Sequence, residues 1–210
     1  MLDIFDILGP VMVGPSSSHT AGAVRIGRMA RTLLDGVPVR AEIGLYGSFA
    51  ETGRGHGTDR ALVAGLLGMA PDDLDVPRSF EIAAERKLVF SFHTVQLRTA
   101  HPNTAVLDVT AEDGRRLVLR AASTGGGRIR VEQVNGVNVN FTGDFNTLIV
   151  RQHDIPGTPA AIARELSKFR VNVANMSLCR DRRGGAALMV LETDQRVSTV
   201  TREMVAEIPG

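Results

Sequence analysis

Apolar residues recur along this chain at two spacings, and the switch between them divides it. Ala23, Ile26, Ala30, Leu33 and Leu34 follow Ser16-Ser17-Ser18 at helical spacing; the serines can cap orphan amides, and Gly36 and Pro38 close the run. Val39, Ala41, Ile43 and Leu45 alternate as in a strand. A second helix is predicted from Thr58-Asp59 through Leu62, Leu66 and Leu67 to Pro71. From Ser79 to Phe141 the reading is mostly strands: Lys87–Leu97, Ala105–Thr110, Leu117–Ala121, Arg128–Gln133 and Val137–Phe141. Glu112-Asp113-Gly114 and Asn135-Gly136 are turns between the later ones.

A boundary is expected near Thr142-Gly143-Asp144. Beyond it the pattern predicts a strand at Asn146–Gln152, a turn at Pro156-Gly157 and a helix over Thr158–Phe169. Strands follow at Val171–Leu178 and Ala186–Glu192, then an amphipathic segment, Val197–Ile208. The whole is an α+β pattern: helices then an antiparallel sheet, followed by β-α-β-β-α, one strand short of a ferredoxin-like unit.

Composition narrows the function. The 24 basic and 23 acidic side chains leave a net charge of +1, without the basic cluster a nucleic-acid binder needs. No apolar run reaches the roughly 20 residues of a membrane span, and no signal-peptide pattern opens at Met1–Pro10, so a cytoplasmic protein is expected. A single cysteine, Cys179, excludes a disulfide scaffold and any iron–sulfur cluster held by this chain alone. It is expected as a buried, inert thiol at a strand end.

Glycines cluster beside polar residues that can carry chemistry. Gly14-Pro15-Ser16-Ser17-Ser18-His19-Thr20 joins a turn, three hydroxyls and a helix start, which suits an anion; plain capping is the alternative. It lacks the Gly-Lys-Ser/Thr ending of a nucleotide loop. Gly53-Arg54-Gly55-His56-Gly57-Thr58-Asp59 frames a histidine with little bulk around it, so the imidazole can serve proton transfer in a cleft or simply be solvated. His101-Pro102-Asn103-Thr104 and Ser123-Thr124-Gly125-Gly126-Gly127 carry weaker signals of the same kind. His93 reads as a structural histidine within a strand, and the five histidines form no helical metal pair.

Taken together, the Gly14–Thr20 and Gly53–Asp59 segments resemble the β chain of iron–sulfur-dependent bacterial L-serine dehydratases. His101–Thr104 and Gly125–Gly127 continue the match. The segment from Asn146 resembles an ACT domain, with Asp154-Ile155-Pro156-Gly157 as its turn and Val171-Asn172-Val173 opening its second strand. The resemblance implies a substrate-binding-like domain over residues 1–143 and an ACT regulatory domain over 144–210, lacking its last strand. It implies conversion of L-serine to pyruvate and ammonia with a partner α chain. That chain would ligate a [4Fe-4S] cluster acting as Lewis acid on the serine hydroxyl; no metal is expected on this one.

By motif position, His56 is then the expected proton acceptor, with His19 as the alternative base. Ser16, Ser17, Ser18 and Thr20 are expected to bind the substrate carboxylate; Thr58, Asp59, Asn103, Thr104, Gly125 and Gly126 shape the same pocket. An effector is expected at Asp154, Gly157, Thr158 and Asn175, with pairing of two copies through the ACT sheets. The N-terminal domain also resembles the allosteric substrate-binding domain of some phosphoglycerate dehydrogenases. The competing expectation is therefore a non-catalytic, amino-acid-binding regulatory subunit.

Overall fold

The computed structural model describes residues 10–53 and 55–210. The opening segment, apart from Pro10, and Arg54 of the second glycine motif lie outside the described residues. The chain forms two compact units, one ending at Asn135 and the other spanning Gly136–Gly210.

In the first unit a π-helical turn, Ser17–Ala21, leads into α1 (Gly22–Leu34). Ser16 starts it from extended backbone: its hydroxyl accepts the His19 amide hydrogen at 3.1 Å. Then come β1 (Pro38–Tyr46), α2 (Ser48–Thr52), α3 (Thr58–Leu66), a 3₁₀ turn at Val76–Arg78 and α4 (Ser79–Glu85). The strands β2 (Val89–Thr94), β3 (Thr104–Ala111), β4 (Arg116–Gly125) and β5 (Arg128–Val134) follow. Their order within this unit is β2-β1-β3-β4-β5.

Three features depart from the sequence reading. Helices α2 and α4 stand where no separate helix is predicted, and β2 ends at Thr94 rather than Leu97. The β1–β2 pair is parallel, whereas the other pairs within this unit are antiparallel. A parallel neighbour requires a long crossover, and the α2–α4 excursion supplies it.

The sheet alternates strictly enough to give two faces. Ile43, Leu107, Leu119, Ala121 and Val131 are fully buried, whereas Arg40, Glu42 and Arg116 on neighbouring positions are exposed. Helices α1 and α3 cross at two glycines. A Cβ on Gly27 would lie 2.2 Å from the Leu62 carbonyl oxygen, and one on Gly65 would lie 2.1 Å from that of Val24. Only bare backbone permits this approach.

The turn at Asn135 and Gly136 has positive φ at both residues, 48° and 83°, as a type I′ turn requires. The second unit contains β6 (Val137–Phe141), β7 (Asn146–His153), α5 (Thr158–Lys168), β8 (Val173–Arg180), β9 (Ala186–Thr193) and α6 (Thr199–Ala206). From β7 the order is β-α-β-β-α, and its antiparallel sheet runs β7-β9-β8. Ile162 and Leu166 of α5, Met189 and Leu191 of β9 and Val205 of α6 form its core. Cys179 on β8 is half-buried rather than buried, because its edge strand is covered on one side only.

Candidate functional site

The two glycine–histidine motifs meet through α2, which the sequence reading missed. Gly14 (φ +126°) admits no side chain, since a Cβ would lie 2.7 Å from Thr20. The turn it makes brings His19 against α2. The His19 Nε2 atom stands 3.0 Å from the Ser48 hydroxyl and 3.2 Å from that of Thr52. Its Nδ1 is 3.5 Å from the Ser16 hydroxyl, and its ring meets Phe49 edge-on at 5.3 Å.

His56 approaches the same helix from the second motif. Its ring lies 5.0 Å from that of His19, tilted by 38°. Its Nδ1 is 3.2 Å from the Thr52 carbonyl oxygen, to which its backbone amide also donates at 3.3 Å. The Thr20 hydroxyl donates to the His56 carbonyl at 3.2 Å, which pins the loop.

These contacts assign the protons. A carbonyl only accepts, so His56 Nδ1 carries hydrogen and Nε2 keeps the lone pair. The Thr52 hydroxyl donates at 2.9 Å to the Ser48 carbonyl, a shorter contact than that to His19. Having one proton to give, it accepts from His19 Nε2–H. The two rings are therefore opposite tautomers: the Nε2 of His19 is engaged by hydroxyls, whereas that of His56 is a base. Burial foremost, then the charge of His56, push His19 below the ordinary histidine range, against the opposing pull of Ser48. His19 is thus a ring held in place by hydroxyls, with burial favouring its neutral form.

The other expected residues are placed unequally. Ser16 spends its hydroxyl on the helix start, and Ser17 and Ser18 are half-buried. The His101–Thr104 loop reaches α2 through Pro102, whose carbonyl accepts from the Phe49 amide at 3.4 Å. Gly47 (φ +55°) accommodates that approach, since a Cβ there would lie 2.7 Å from the same oxygen. Within the loop, the Thr104 hydroxyl donates to the His101 carbonyl, and the Asn103 carbonyl accepts from the Ser123 amide. Gly125 and Gly126 face open space at the β4–β5 turn, while a Cβ on Gly127 would lie 2.8 Å from Pro10 and 3.5 Å from Ala21.

Thr58 and Ser123 are fully buried, and neither hydroxyl has a partner among the described residues. A Cβ on Gly22 would sit 2.1 Å from the Ser123 oxygen, so α1 opens directly against that hydroxyl. Such orphans normally find a partner, which makes both candidates for contact with a bound molecule. Asp59 instead lines a cavity with Phe49, Phe80, Phe92 and His93. His93 is exposed there on an edge strand rather than packed as a structural histidine.

Ser48 and Thr52 stand in none of the expected motifs, whereas Ser123 opens the weaker Ser123–Gly127 one. Ser48 and Thr52 leave a signal: two hydroxyls at i, i+4 just after Gly44-Leu45-Tyr46-Gly47 ends a strand. In the second unit, Asp154 accepts from Arg180 at 2.6 Å and the Gly184 amide at 2.9 Å, clasping the β8–β9 turn. Gly157 and Thr158 open α5 beside it. Asn175 is bound to Glu192, about 16 Å along β8 from Arg180 at roughly 3.3 Å per residue.

One thiol cannot hold an iron–sulfur cluster, which takes about four. Among the described residues no three His, Cys, Asp or Glu side chains gather as a metal site. The donor set of this chain does not fit the cluster, which would require a partner's ligands.

Residues 1–87 match the family model described as serine dehydratase beta chain. The probable L-serine dehydratase beta chain of Bacillus subtilis (strain 168) is 41% identical over 207 residues, covering 99% of this chain and 94% of that one. The L-serine dehydratase beta chain of Peptoniphilus asaccharolyticus is 34% identical over 192 residues, or 91% and 86%. L-serine dehydratase 2 of Escherichia coli (strain K12) is 43% identical over 82 residues, 36% of this chain and 18% of that protein.

Proposed function

Since this chain belongs to the serine dehydratase beta chain family, we propose that with an alpha chain it forms an L-serine ammonia-lyase, converting L-serine to pyruvate and ammonia. The observation that carries the assignment of roles is the His56 Nδ1–Thr52 carbonyl contact, which leaves Nε2 as an oriented base. His56 takes the α-proton of serine. Loss of the β-hydroxyl as water gives an enamine, which tautomerises to an imine and is hydrolysed to pyruvate and ammonia. The departing hydroxide needs an acid that no residue described on this chain supplies. We assign that role to the alpha chain, where the resemblance also puts the [4Fe-4S] cluster.

His19 acts as a positioning residue for α2. The orphan hydroxyls of Thr58 and Ser123, with Asn103 and the open Gly125-Gly126 backbone, support a small polar substrate. Ser17 and Ser18 bind its carboxylate beside the start of α1, while Thr20, whose proton goes to the His56 carbonyl, holds the loop. The β-α-β-β-α order and β7-β9-β8 sheet support an ACT-type regulatory domain, with the domain border near 143/144 and pairing of two copies through exposed β8. An effector contacts Gly157 and Thr158, held by the Asp154 clasp. No described helix is long and apolar enough to cross a membrane; a cytoplasmic setting is part of this proposal.

The test is to co-express the chain with its alpha chain and assay serine deamination anaerobically, with His56→Ala and His19→Ala made separately. His56→Ala should abolish turnover and the exchange of the serine α-hydrogen with deuterated solvent. If α-exchange survives at the wild-type rate, His56 is not the acceptor. If co-purified wild-type chains release no pyruvate from serine, the reaction itself is wrong.

A further inference from the structure

Against α2 lies the cavity of ≈ 550 Å³ that takes in Asp59. Its wall is built by the end of β1 (Leu45), α2 (Phe49 and Ala50), α3 (Asp59), α4 (Phe80) and β2 (Phe92, His93, Thr94). The volume falls within the range of small-molecule sites, roughly 300–1,000 Å³. Phe80 packs on Phe90 and Phe92 with ring centroids 4.9 and 6.3 Å away, so the aromatic wall is braced.

The chemistry of that wall is selective. Two partly exposed aromatic rings, Phe80 and Phe92, and a leucine present an apolar surface, broken by one carboxylate, one imidazole and one hydroxyl. Aromatic faces attract cations, and this wall already holds one: the Arg60 guanidinium lies 4.7 Å over Phe80. Arg60 is anchored there by donating to the Pro77 carbonyl at 2.7 Å and is 3.8 Å from Glu81. An anion would meet the Asp59 carboxylate, and a purely apolar guest would desolvate it without return. A cation with an apolar body satisfies both parts.

We propose that this cavity is a second binding site, for a small organic ammonium ion with an apolar body. Its cation sits on Asp59 and its body lies on Phe80 and Phe92, with Phe49 buried behind them. The site is coupled to the histidines through Phe49, which is fully buried and lines the cavity while its ring contacts His19 at 5.3 Å. Three residues on, Thr52 carries the hydroxyl that meets His19 and the carbonyl that meets His56. Filling the cavity shifts the ring that backs this helix. None of this depends on the reaction assigned above.

The experiment uses the full chain and the probe 2-phenylethylammonium chloride, with 2-phenylethanol as its neutral counterpart. Titration calorimetry gives affinity, and histidine carbon–proton spectra report on His19. The ammonium should bind saturably, with an affinity about tenfold above that of the alcohol, the scale of one partly desolvated cation contact. Asp59→Asn should remove that advantage and leave alcohol binding in place. Phe92→Trp, which fills the cavity from the strand side, should weaken both probes, and bound ammonium should shift the His19 resonances. No saturable binding up to about 10 mM, the range of a Kd too weak to signify a built site, overturns the proposal. Equal affinity in Asp59→Asn overturns the ligand class, and unmoved His19 signals at saturation overturn the coupling. Because the readout is binding, loss of the lyase assignment would leave these results unaffected, and the reverse holds.

Discussion

The carbonyl of Thr52 accepts from Nδ1 of His56 across 3.2 Å, and this contact decides which ring nitrogen can receive a proton. The expected outcome is spectroscopic. In nitrogen-15 spectra above the histidine titration, His56 should show a protonated Nδ1 and an unprotonated Nε2, and His19 the reverse. Matching patterns in the two rings would contradict the assignment.

Thr52→Val removes the hydroxyl that His19 meets and keeps the carbonyl that His56 uses. The loss of one hydrogen bond costs about 0.5–1.5 kcal/mol. Turnover of the reconstituted enzyme should fall up to about tenfold through kcat, with the His56 tautomer unchanged. Loss of the His56 Nδ1–H signal in this variant would show that the hydroxyl, not the carbonyl, orients the base.

His19 sets a pH dependence of stability. Its folded value is depressed, chiefly by burial. As pH drops below about 6.5, the unfolded chain takes up this proton before the native one does. Stability is therefore fully present above that value and declines as pH falls. The urea midpoint should drop between about pH 7.5 and 5.5, and less steeply in His19→Asn. An NMR titration should place the His19 midpoint below the ordinary value and raise it in His56→Gln, which removes the neighbouring charge. A midpoint that stays put in His56→Gln would rule out that coupling.

In the second unit, Asp154 is held below the usual carboxylate range, first by the Gly184 amide and next by Arg180. The clasp should thus persist as pH falls through about 4, the ordinary Asp value. Asp154→Ala should speed exchange of the Gly184 amide hydrogen, because the carboxylate that accepts from it is gone. An unchanged exchange rate would mean the turn holds itself without the carboxylate.

Long periodic segments made much of this fold legible. The apolar spacing of Ala23 to Leu34 and of Leu62 to Leu66 marks α1 and α3, and alternation marks β1, β3 and β4. Helix α2 has only five residues, too few for a helical period to show; it forms because Gly47 turns the chain and Phe49 is drawn into the core. Helix α4, with seven residues, is also short, and its Phe80 and Ile82 read as alternation. Parallel pairing of β1 with β2 depends on where the intervening helices return the chain, which alternation cannot express. The glycine–histidine motifs announced the two rings. Their connection through Ser48 and Thr52 was hidden because it belongs to a helix that tertiary packing creates.

The glycine crossing of α1 and α3 has a consequence for the histidine pair. His19 stands just ahead of α1, and His56 just ahead of α3. Gly27 and Gly65 lie eight and nine residues farther along, about 12–14 Å at 1.5 Å per residue. The two helices thus behave like the arms of a pair of tongs whose rivet is a place without side chains. A single methyl group at the rivet would spread the jaws while touching neither ring. The spacing between the two imidazoles is governed as much by atoms missing at the crossing as by the hydrogen bonds around the rings.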